Sequence, residues 1–338
     1  MKAVGYQKSL PVSDPEALLD FTAGRPTAAG RDLLVKVMAV SVNPVDTKVR
    51  MRAAPAAGEP PKVLGYDAAG IVEAAGPETT LFKPGDEVFY AGSIIRAGTN
   101  AEFHLVDERI AGLKPKSLSF AQAAALPLTS ITAWEILLDR LAVTTGQTPD
   151  PRALLVIGGA GGVGSILIQL ARRLTGLTVI ATASRPESRA WCLERGAHHV
   201  IDHGKPMPEQ LKAIGHADVA LVASLAGTER HFPAMPDIIA PQGKMALIDD
   251  PKTLDVNPLK RKSISVHWES MFTRSMFATP DMIAQHQLLD RVSAMIDEGI
   301  IVTTLAQELT PINAANLRKA HGMVESGTSI GKIVLSGW

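Results

Sequence analysis

Apolar and polar residues change their pattern near residue 120 of this 338-residue chain. Before that point, short apolar runs such as residues 33–40 and 101–106 alternate with turn-prone segments, which predicts closely spaced strands. After it, apolar runs of strand length alternate with segments of helical periodicity. The first pattern predicts a compact, barrel-like β domain, and the second predicts a parallel sheet covered by helices.

The alternation in the second part predicts a series of elements. Strands are predicted over residues 153–157, 177–183, 199–201, 219–222, 244–248 and 264–268. Helices are predicted over residues 164–174, 187–195, 280–298 and 312–325, with a last strand at 332–334. The predicted fold class is therefore α/β, a Rossmann doubly wound parallel sheet with a second, β-rich domain.

A glycine-rich loop separates the first of these strands from the first helix. Residues 154–157 are apolar throughout, as a strand buried on both faces requires, and the spacing Gly-x-Gly-x-x-Gly follows at 159–164. In a dinucleotide fingerprint the glycines allow a tight turn, close approach of the pyrophosphate and packing of the helix on its strand. The alternative is a turn that binds nothing. We predict that the helix N-terminus binds phosphate through Gly159, Gly161, Gly162, Val163 and Gly164.

The next strand favours NADP over NAD as the cofactor. An NAD site places an Asp or Glu at the end of that strand, about 20 residues on, to bind the ribose hydroxyls. Here the strand ends at Ser184 and Arg185, and Arg189 lies one helical turn further on. The guanidinium groups of these arginines suit a 2′-phosphate. Glu187 is predicted to form a capping box with Ser184. The alternative for both arginines is an ordinary solvated helix start.

Composition narrows the class of protein. Lys plus Arg and Asp plus Glu both number 34, so no basic surplus points to nucleic acid. Cys192 is the only cysteine, which excludes intramolecular disulfides and a cysteine-rich zinc site. The N-terminal residues lack the apolar core of a signal peptide, and no stretch approaches the roughly 20 apolar residues of a membrane span. We expect a cytoplasmic protein with neither a nucleic-acid nor a membrane partner.

Several further segments resemble the medium-chain dehydrogenase/reductase superfamily, over essentially the whole chain. They are residues 42–46, 64–72, 82–88, 124–134 and 196–202. The quinone oxidoreductase branch is the most similar, and residues 267–274 resemble a subgroup often named zinc-type alcohol dehydrogenase-like.

The resemblance implies a particular domain organisation. A GroES-like β-barrel domain would comprise residues 1–122 and 296–338, and a Rossmann NADP-binding domain would comprise residues 123–295. The active site would lie in the cleft between them. The resemblance also implies a homodimer joined edge to edge through the strand at 264–268.

The subgroup name implies zinc, and the residues at the ligand positions argue against it. Zinc-dependent members hold the metal with a Cys, a His and a further Cys, Asp or Glu. The corresponding positions here are Asn43, Tyr66 and Leu128, whose amide, phenol and alkyl groups cannot replace thiolate and imidazole. Asp67, beside the His position, cannot hold the metal alone. We therefore predict no metal site.

Three histidines close in sequence offer another candidate metal site. His198, His199 and His203 lie on and after a short predicted strand, where neighbouring side chains point to opposite faces. We favour the alternative, a strand edge near the cofactor. His203 takes the position of a Tyr that lies near the adenosine end in related reductases, so we expect it to contact the cofactor.

Without a metal, the resemblance implies hydride transfer from NADPH to a substrate whose own conjugation accepts it, a quinone or an α,β-unsaturated carbonyl. It places Asn43 and Asp46 near the nicotinamide, and Asn43 could donate its amide to a substrate or cofactor oxygen. Lys48 takes a position that is often Tyr in related quinone reductases, and it either stabilises an enolate or lies on the surface. Tyr66 is either a proton donor or a packed aromatic. Thr129 is expected to contact the cofactor.

Two other functions remain open at this point. One is a zinc-dependent alcohol dehydrogenase, and the other is a non-catalytic NADPH-binding protein. Metal analysis distinguishes the zinc enzyme from a zinc-free reductase. A test of NADPH oxidation with quinones and enones distinguishes the non-catalytic protein from an enzyme.

Overall fold

The computed structural model describes residues 1–338, and its strands begin and end close to the apolar runs of the sequence. The strands are β1 (Lys2–Tyr6), β2 (Leu19–Thr22), β3 (Asp32–Val42), β4 (Lys62–Val63), β5 (Asp67–Ala75), β6 (Glu87–Ala91), β7 (Phe103–Asp107), β8 (Ala111–Leu113), β9 (Ala153–Ile157), β10 (Thr178–Thr182), β11 (His199–Ile201), β12 (Val219–Ser224), β13 (Ile239–Leu247), β14 (Ser265–Trp268), β15 (Leu305–Leu309) and β16 (Lys332–Ser336).

The helices occupy most of the intervals between the later strands. They are α1 (Pro44–Arg52), α2 (Phe120–Ala124), α3 (Pro127–Trp134), α4 (Gly162–Leu174), α5 (Pro186–Glu194), α6 (Met207–Ala213), α7 (Thr228–His231), α8 (Met235–Ile238), α9 (Thr273–Phe277), α10 (Ala284–Asp297) and α11 (Ala314–Glu325). Helix α3 continues into a π-helical turn, Glu135–Arg140. No helix combines the length and apolarity that crossing a membrane requires.

Residue contacts divide the chain into two units, and the limits of these units differ from the predicted domain limits. Unit 1 comprises Met1–Ile131 and Phe272–Trp338, and unit 2 comprises Thr132–Met271. Residues 123–131 and the helix α10, which the prediction places in the Rossmann domain, belong to unit 1 by this division. The reason is their packing, since α2 contacts β3 and β5, and α10 contacts β8.

Unit 2 contains a six-stranded parallel sheet. Its strand order is β11-β10-β9-β12-β13-β14, the 3-2-1-4-5-6 order of the Rossmann fold when the strands are numbered along the chain. Every residue of β9 is buried, as its unbroken apolar run predicts. The glycine-rich loop follows β9 at the centre of the sheet, where the strand order reverses and ligands of such sheets bind.

Unit 1 is built on a sheet in which all pairings but one are antiparallel. Its order is β15-β16-β3-β5-β6-β8, with β7 also paired to β3, and only β15 and β16 run parallel. Strand β3 is central because it pairs with β16, β5 and β7. The register of β16 on β3 sets Ile333 opposite Val42. This pairing brings Lys332, near the C-terminus, beside the residues that precede α1.

Helix α1 follows directly from β3 and was not among the predicted elements. Its sequence nevertheless carries start signals, with Asn43 at the N-cap, Pro44 in the first turn and Asp46 at the third helical position. The backbone N–H of Asn43 donates to Asp46 Oδ2 at 2.7 Å. These three residues fix where α1 begins.

Candidate active site

The glycine-rich loop of unit 2 is packed so tightly that two of its glycines cannot carry a side chain. A Cβ on Gly164 would lie 2.5 Å from the carbonyl oxygen of Gly158, and one on Gly159 would lie 2.8 Å from Ala181 Cβ. Gly158 itself has a φ of 82°, in the left-handed region. These glycines let α4 approach β9 closely, as the fingerprint requires.

Gly161 differs from its neighbours because space is open above it. A Cβ there would meet nothing closer than Gly158 O at 3.5 Å. Gly161 is the N-cap of α4, so Gly162, Val163 and Gly164 form the first turn, whose backbone N–H groups lack intrahelical acceptors. A helix N-terminus with such N–H groups can accept a phosphate, and no side chain at Gly161 obstructs this one.

The end of β10 carries a buried threonine where an NAD-type site would carry an acid. Thr182 Oγ1 accepts the N–H of Gly158 at 3.0 Å and lies 3.1 Å from His203 Nδ1. Ser184 and Arg185 follow at the surface. Thr182, at the end of β10, and His203, shortly after β11, are thereby hydrogen-bonded in series to the start of the glycine-rich loop.

The predicted capping box between Ser184 and Glu187 is wrong. The N-cap of α5 is Arg185, whose N–H donates to Ser188 Oγ at 3.2 Å. Pro186 takes the first helical position, where its fixed φ suits the helix, so the cap falls on the residue before it. Glu187 lies exposed in the first turn.

The two arginines near this helix start have different surroundings. Arg185 is exposed, whereas Arg189 is partly buried and its Nη2 donates to the carbonyl oxygen of Val200 at 2.8 Å. Arg189 therefore ties α5 to β11. Of the two, Arg185 is the one that the surface leaves accessible to an anion.

The three neighbouring histidines do not converge on one point. His198 Nδ1 accepts the N–H of Val179 at 2.9 Å, and His199 contacts the ring of His216. His203 lies instead beside Thr182, and burial lowers its pKa. A cavity of about 300 Å³ adjoins His203 and is also lined by Lys205, Arg230 and His231.

Unit 1 holds a buried polar cluster at the start of α1, which we call the Asp67 cluster. Its members are Ser41, Asn43, Asp46, Asp67 and Lys332. Asp67 Oδ2 accepts from Ser41 Oγ and from Asn43 Nδ2, both at 2.7 Å. Lys332 Nζ donates to the same oxygen at 3.2 Å, to the Asn43 side-chain oxygen, and to Val42 O at 3.0 Å.

Asp46 lies at the edge of this cluster with both carboxyl oxygens engaged. Oδ2 accepts the Asn43 N–H, and Oδ1 accepts the N–H of Gly65 at 3.0 Å. Burial raises the pKa of Asp46 to about 7, with Asp67 adding to the rise, while the two N–H donors and Lys332 oppose it. Burial also lowers the pKa of Lys332, which Asp67 counteracts.

The remaining predicted site residues of unit 1 lie in different surroundings. Thr129 is buried in the first turn of α3, and its hydroxyl donates to Leu126 O at 3.1 Å. Tyr66 is buried, and its ring centroid lies 5.3 Å from that of Phe272 in an edge-on contact. Burial raises the Tyr66 pKa, so the phenol stays protonated at neutral pH. Lys48 lies partly exposed on α1.

The side chains at the family's zinc-ligand positions are an amide, a phenol and an alkyl group, so none of them is a thiolate or an imidazole. The Asn43 amide lies between Lys332 and Asp67, and Tyr66 packs on an aromatic ring. The backbone N–H of Leu128 donates to Asp67 Oδ1 at 2.7 Å. The Lys332 ammonium also brings a positive charge into the cluster. No three His, Cys, Asp or Glu side chains in the chain are grouped as metal ligands.

Sequence reasoning did not assign a role to Lys332 or Ser41. A lysine at the first position of an otherwise apolar strand was the available signal for Lys332, because a charge at the start of a buried strand needs a partner. The identity of that partner could not be read from the sequence, since Asp67 lies 265 positions away.

Two family models match the chain. Residues 29–131 match the model described as alcohol dehydrogenase GroES-like domain, and residues 195–335 match the model described as zinc-binding dehydrogenase. The first match lies within unit 1. The two together cover most of the chain.

Two proteins of similar sequence differ in how much of this chain they match. A zinc-type alcohol dehydrogenase-like protein of Staphylococcus aureus (strain COL) is 40% identical over 99% of this chain and 100% of its own length. The 2-methylene-furan-3-one reductase of Solanum lycopersicum is 40% identical over 53% of this chain and 46% of its own length.

Solved structures match over the full length. A Rhizobium etli protein provisionally described as a zinc-dependent alcohol dehydrogenase is 59% identical with a TM-score of 0.96, covering 100% of this chain and 98% of that one. The Escherichia coli quinone oxidoreductase complexed with NADPH is 26% identical with a TM-score of 0.84, covering 99% and 100%. The predicted GroES-like and Rossmann fold is confirmed, and the chain belongs to the medium-chain dehydrogenase/reductase superfamily of oxidoreductases.

Proposed function

We propose that this protein is an NADPH-dependent oxidoreductase that transfers hydride to a quinone or an α,β-unsaturated carbonyl without a metal. The observation that carries the proposal is the chemistry of the zinc-ligand positions. Asn43, Tyr66 and Leu128 offer no thiolate or imidazole, and the Lys332 ammonium already balances Asp67. Without a Lewis acid, an alcohol is a poor hydride donor, whereas a conjugated carbonyl accepts hydride because the charge moves to its oxygen.

The environment of the glycine-rich loop supports NADPH as the hydride source. The bound nicotinamide would supply the hydride, while the N-terminus of α4, with Gly161 open above it, would hold the pyrophosphate. The exposed Arg185 suits a 2′-phosphate. Thr182, at the end of β10, offers no carboxylate to the ribose hydroxyls. The structural relative from Escherichia coli is described as complexed with NADPH.

The names of relatives point to the same substrate class. The tomato relative is a reductase of a methylene furanone, which is an α,β-unsaturated ketone, and the Escherichia coli relative is a quinone oxidoreductase. For this chain, the residues that we expect to orient a substrate are Asn43, Asp46, Lys48 and Tyr66. Thr129 would contact the cofactor.

The proposal is tested with protein purified without added metal. Metal content is measured by elemental analysis, and NADPH oxidation is followed with a panel of quinones, enones, aldehydes and ketones. We expect substoichiometric zinc, activity with quinones or enones that survives chelator treatment, and slower turnover with NADH. One zinc per chain with chelator-sensitive alcohol oxidation would contradict the proposal. NADPH binding without reduction of any electrophile would favour a non-catalytic NADPH-binding protein.

We further propose a homodimer joined through β14. Strand β14 is the edge strand of the parallel sheet, so one side of its backbone is free to pair, and Trp268 at its end is 56% exposed. Pairing of two copies would continue the sheet across a two-fold axis. Sedimentation analysis of the wild type and of Val266→Pro tests this, because proline removes a backbone donor in β14. An unchanged mass in the variant would place the interface elsewhere.

A further inference from the structure

The Asp67 carboxylate joins elements that are distant in the chain. Its Oδ2 accepts from Ser41 on β3 and from Asn43 at the start of α1, and its Oδ1 accepts the N–H of Leu128 at the start of α3. Asp67 is fully buried. One carboxylate therefore sets the positions of two helix starts, one carrying Asn43 and the other carrying Leu128 and Thr129.

Lys332 fills an oxygen-lined position next to this carboxylate. Its Nζ is surrounded by Val42 O, Asn43 Oδ1 and Asp67 Oδ2, so all three ammonium hydrogens have acceptors. The side chain is 4% exposed, and a buried ammonium is stable only with such compensation. Three oxygen acceptors therefore surround one positive charge, as they would around a bound cation. Here the cation is the ammonium group of a side chain on β16.

The ammonium also determines how the Asn43 amide is turned. The Lys332 ammonium can only donate, so Oδ1 of Asn43 must face Lys332, and Nδ2 then faces Asp67 Oδ2, to which it donates. One hydrogen of Nδ2 is thereby used, and the second keeps a defined direction. Exchange of the two amide groups would set donor against donor and acceptor against acceptor.

We propose that Lys332 is a positioning residue, a tethered cation that fixes the Asn43 amide and holds the starts of α1 and α3 together through Asp67. The residue acts through Asn43 and Asp67. The expected change in kcat rests on the proposed function. The expected change in Tm does not depend on any substrate.

The test compares Lys332→Ala with the matched control Lys319→Ala, an exposed lysine of α11 in the same unit. We expect Lys332→Ala to lower kcat about 10-fold to 100-fold, with the KM for NADPH within about twofold of wild type. We also expect a lower Tm.

Ethylammonium chloride should restore both kcat and Tm of Lys332→Ala in a saturable way, because the small cation can enter the position vacated by the ammonium. Tetramethylammonium chloride at equal ionic strength should not, because it has no N–H to donate. Lys319→Ala should match the wild type throughout.

A second variant keeps the test decisive if Lys332→Ala does not fold. Lys332→Met combined with Asp67→Asn removes both charges together, so the Tm should recover towards wild type while kcat stays low. Wild-type kcat in the double variant, or no response of Lys332→Ala to ethylammonium, would overturn the inference. If the wild type reduces no electrophile, the proposed function fails. The inference about Lys332 is then decided by Tm alone: a rise in the Tm of Lys332→Ala with ethylammonium supports the role of the positive charge, and no rise contradicts it.

Discussion

A side chain on Gly164 would have its Cβ 2.5 Å from the carbonyl oxygen of Gly158, whereas one on Gly161 would have its nearest neighbour at 3.5 Å. The glycine-rich loop thus contains one glycine required by packing and one with free space, which is where a bound pyrophosphate would approach. The two positions can be separated experimentally.

We expect Gly164→Ala to destabilise unit 2 by about 3 kcal/mol, because a backbone oxygen cannot move aside. Gly161→Ala should cost at most about 1 kcal/mol, since only the helix cap changes, yet weaken NADPH binding about tenfold or more. Thermal unfolding and NADPH fluorescence titration measure the two effects. Equal NADPH affinity in Gly161→Ala and wild type would contradict a phosphate site at this helix start.

The two arginines of α5 should respond differently to substitution. Arg185→Gln is expected to weaken NADPH binding about 10-fold to 100-fold and to leave NADH binding unchanged, because only NADPH carries the 2′-phosphate. Arg189→Gln removes the donor to Val200 O and should lower stability by about 1 kcal/mol while affecting both cofactors alike. A variant at Arg185 that loses NADH affinity as well would show that this side chain does not read the phosphate.

His321 makes stability depend on pH. It lies fully buried on α11 with neither ring nitrogen hydrogen-bonded, and burial, aided by Arg50, lowers its pKa to about 3. The unfolded chain binds a proton at this residue near pH 6.5 and the folded chain does not, so its contribution is present above pH 6.5 and lost as the pH falls towards 3. Between pH 7.5 and pH 5 that loss amounts to about 2 kcal/mol.

We therefore expect His321→Leu to reduce the fall in unfolding free energy between pH 7.5 and pH 5 by about 2 kcal/mol. Urea unfolding at a series of pH values measures it. An unchanged profile in His321→Leu would mean that the folded protein accommodates the imidazolium.

Tyr66 offers a test of whether its hydroxyl takes part in catalysis. Phenylalanine keeps the ring that packs on Phe272, so we expect Tyr66→Phe to retain stability and to keep kcat within about twofold. Tyr66→Ala should lose about 3–5 kcal/mol from the cavity. A large loss of kcat in Tyr66→Phe at unchanged stability would instead identify the hydroxyl as the proton donor.

Local pattern sufficed for the first strand, the glycine-rich loop and the first helix of the parallel sheet. The predicted strand at 153–157 is β9 to the residue, and the predicted helix at 164–174 is α4 apart from two residues at its start. This succeeded because strand, loop and helix are consecutive, so each glycine's role depends on neighbours a few positions away. Helix α1 carried local start signals as well, in Asn43, Pro44 and Asp46.

The sequence by itself determined the superfamily, the position of the glycine-rich loop and the absence of cysteine and histidine at the zinc-ligand positions. Only the tertiary structure decided what stands beside those positions. Lys332 meets Asp67 across 265 positions because β16 pairs with β3, and Arg189 is engaged by Val200 because α5 packs beside β11. Such contacts depend on strand register and helix packing, which bring together side chains that no local pattern relates.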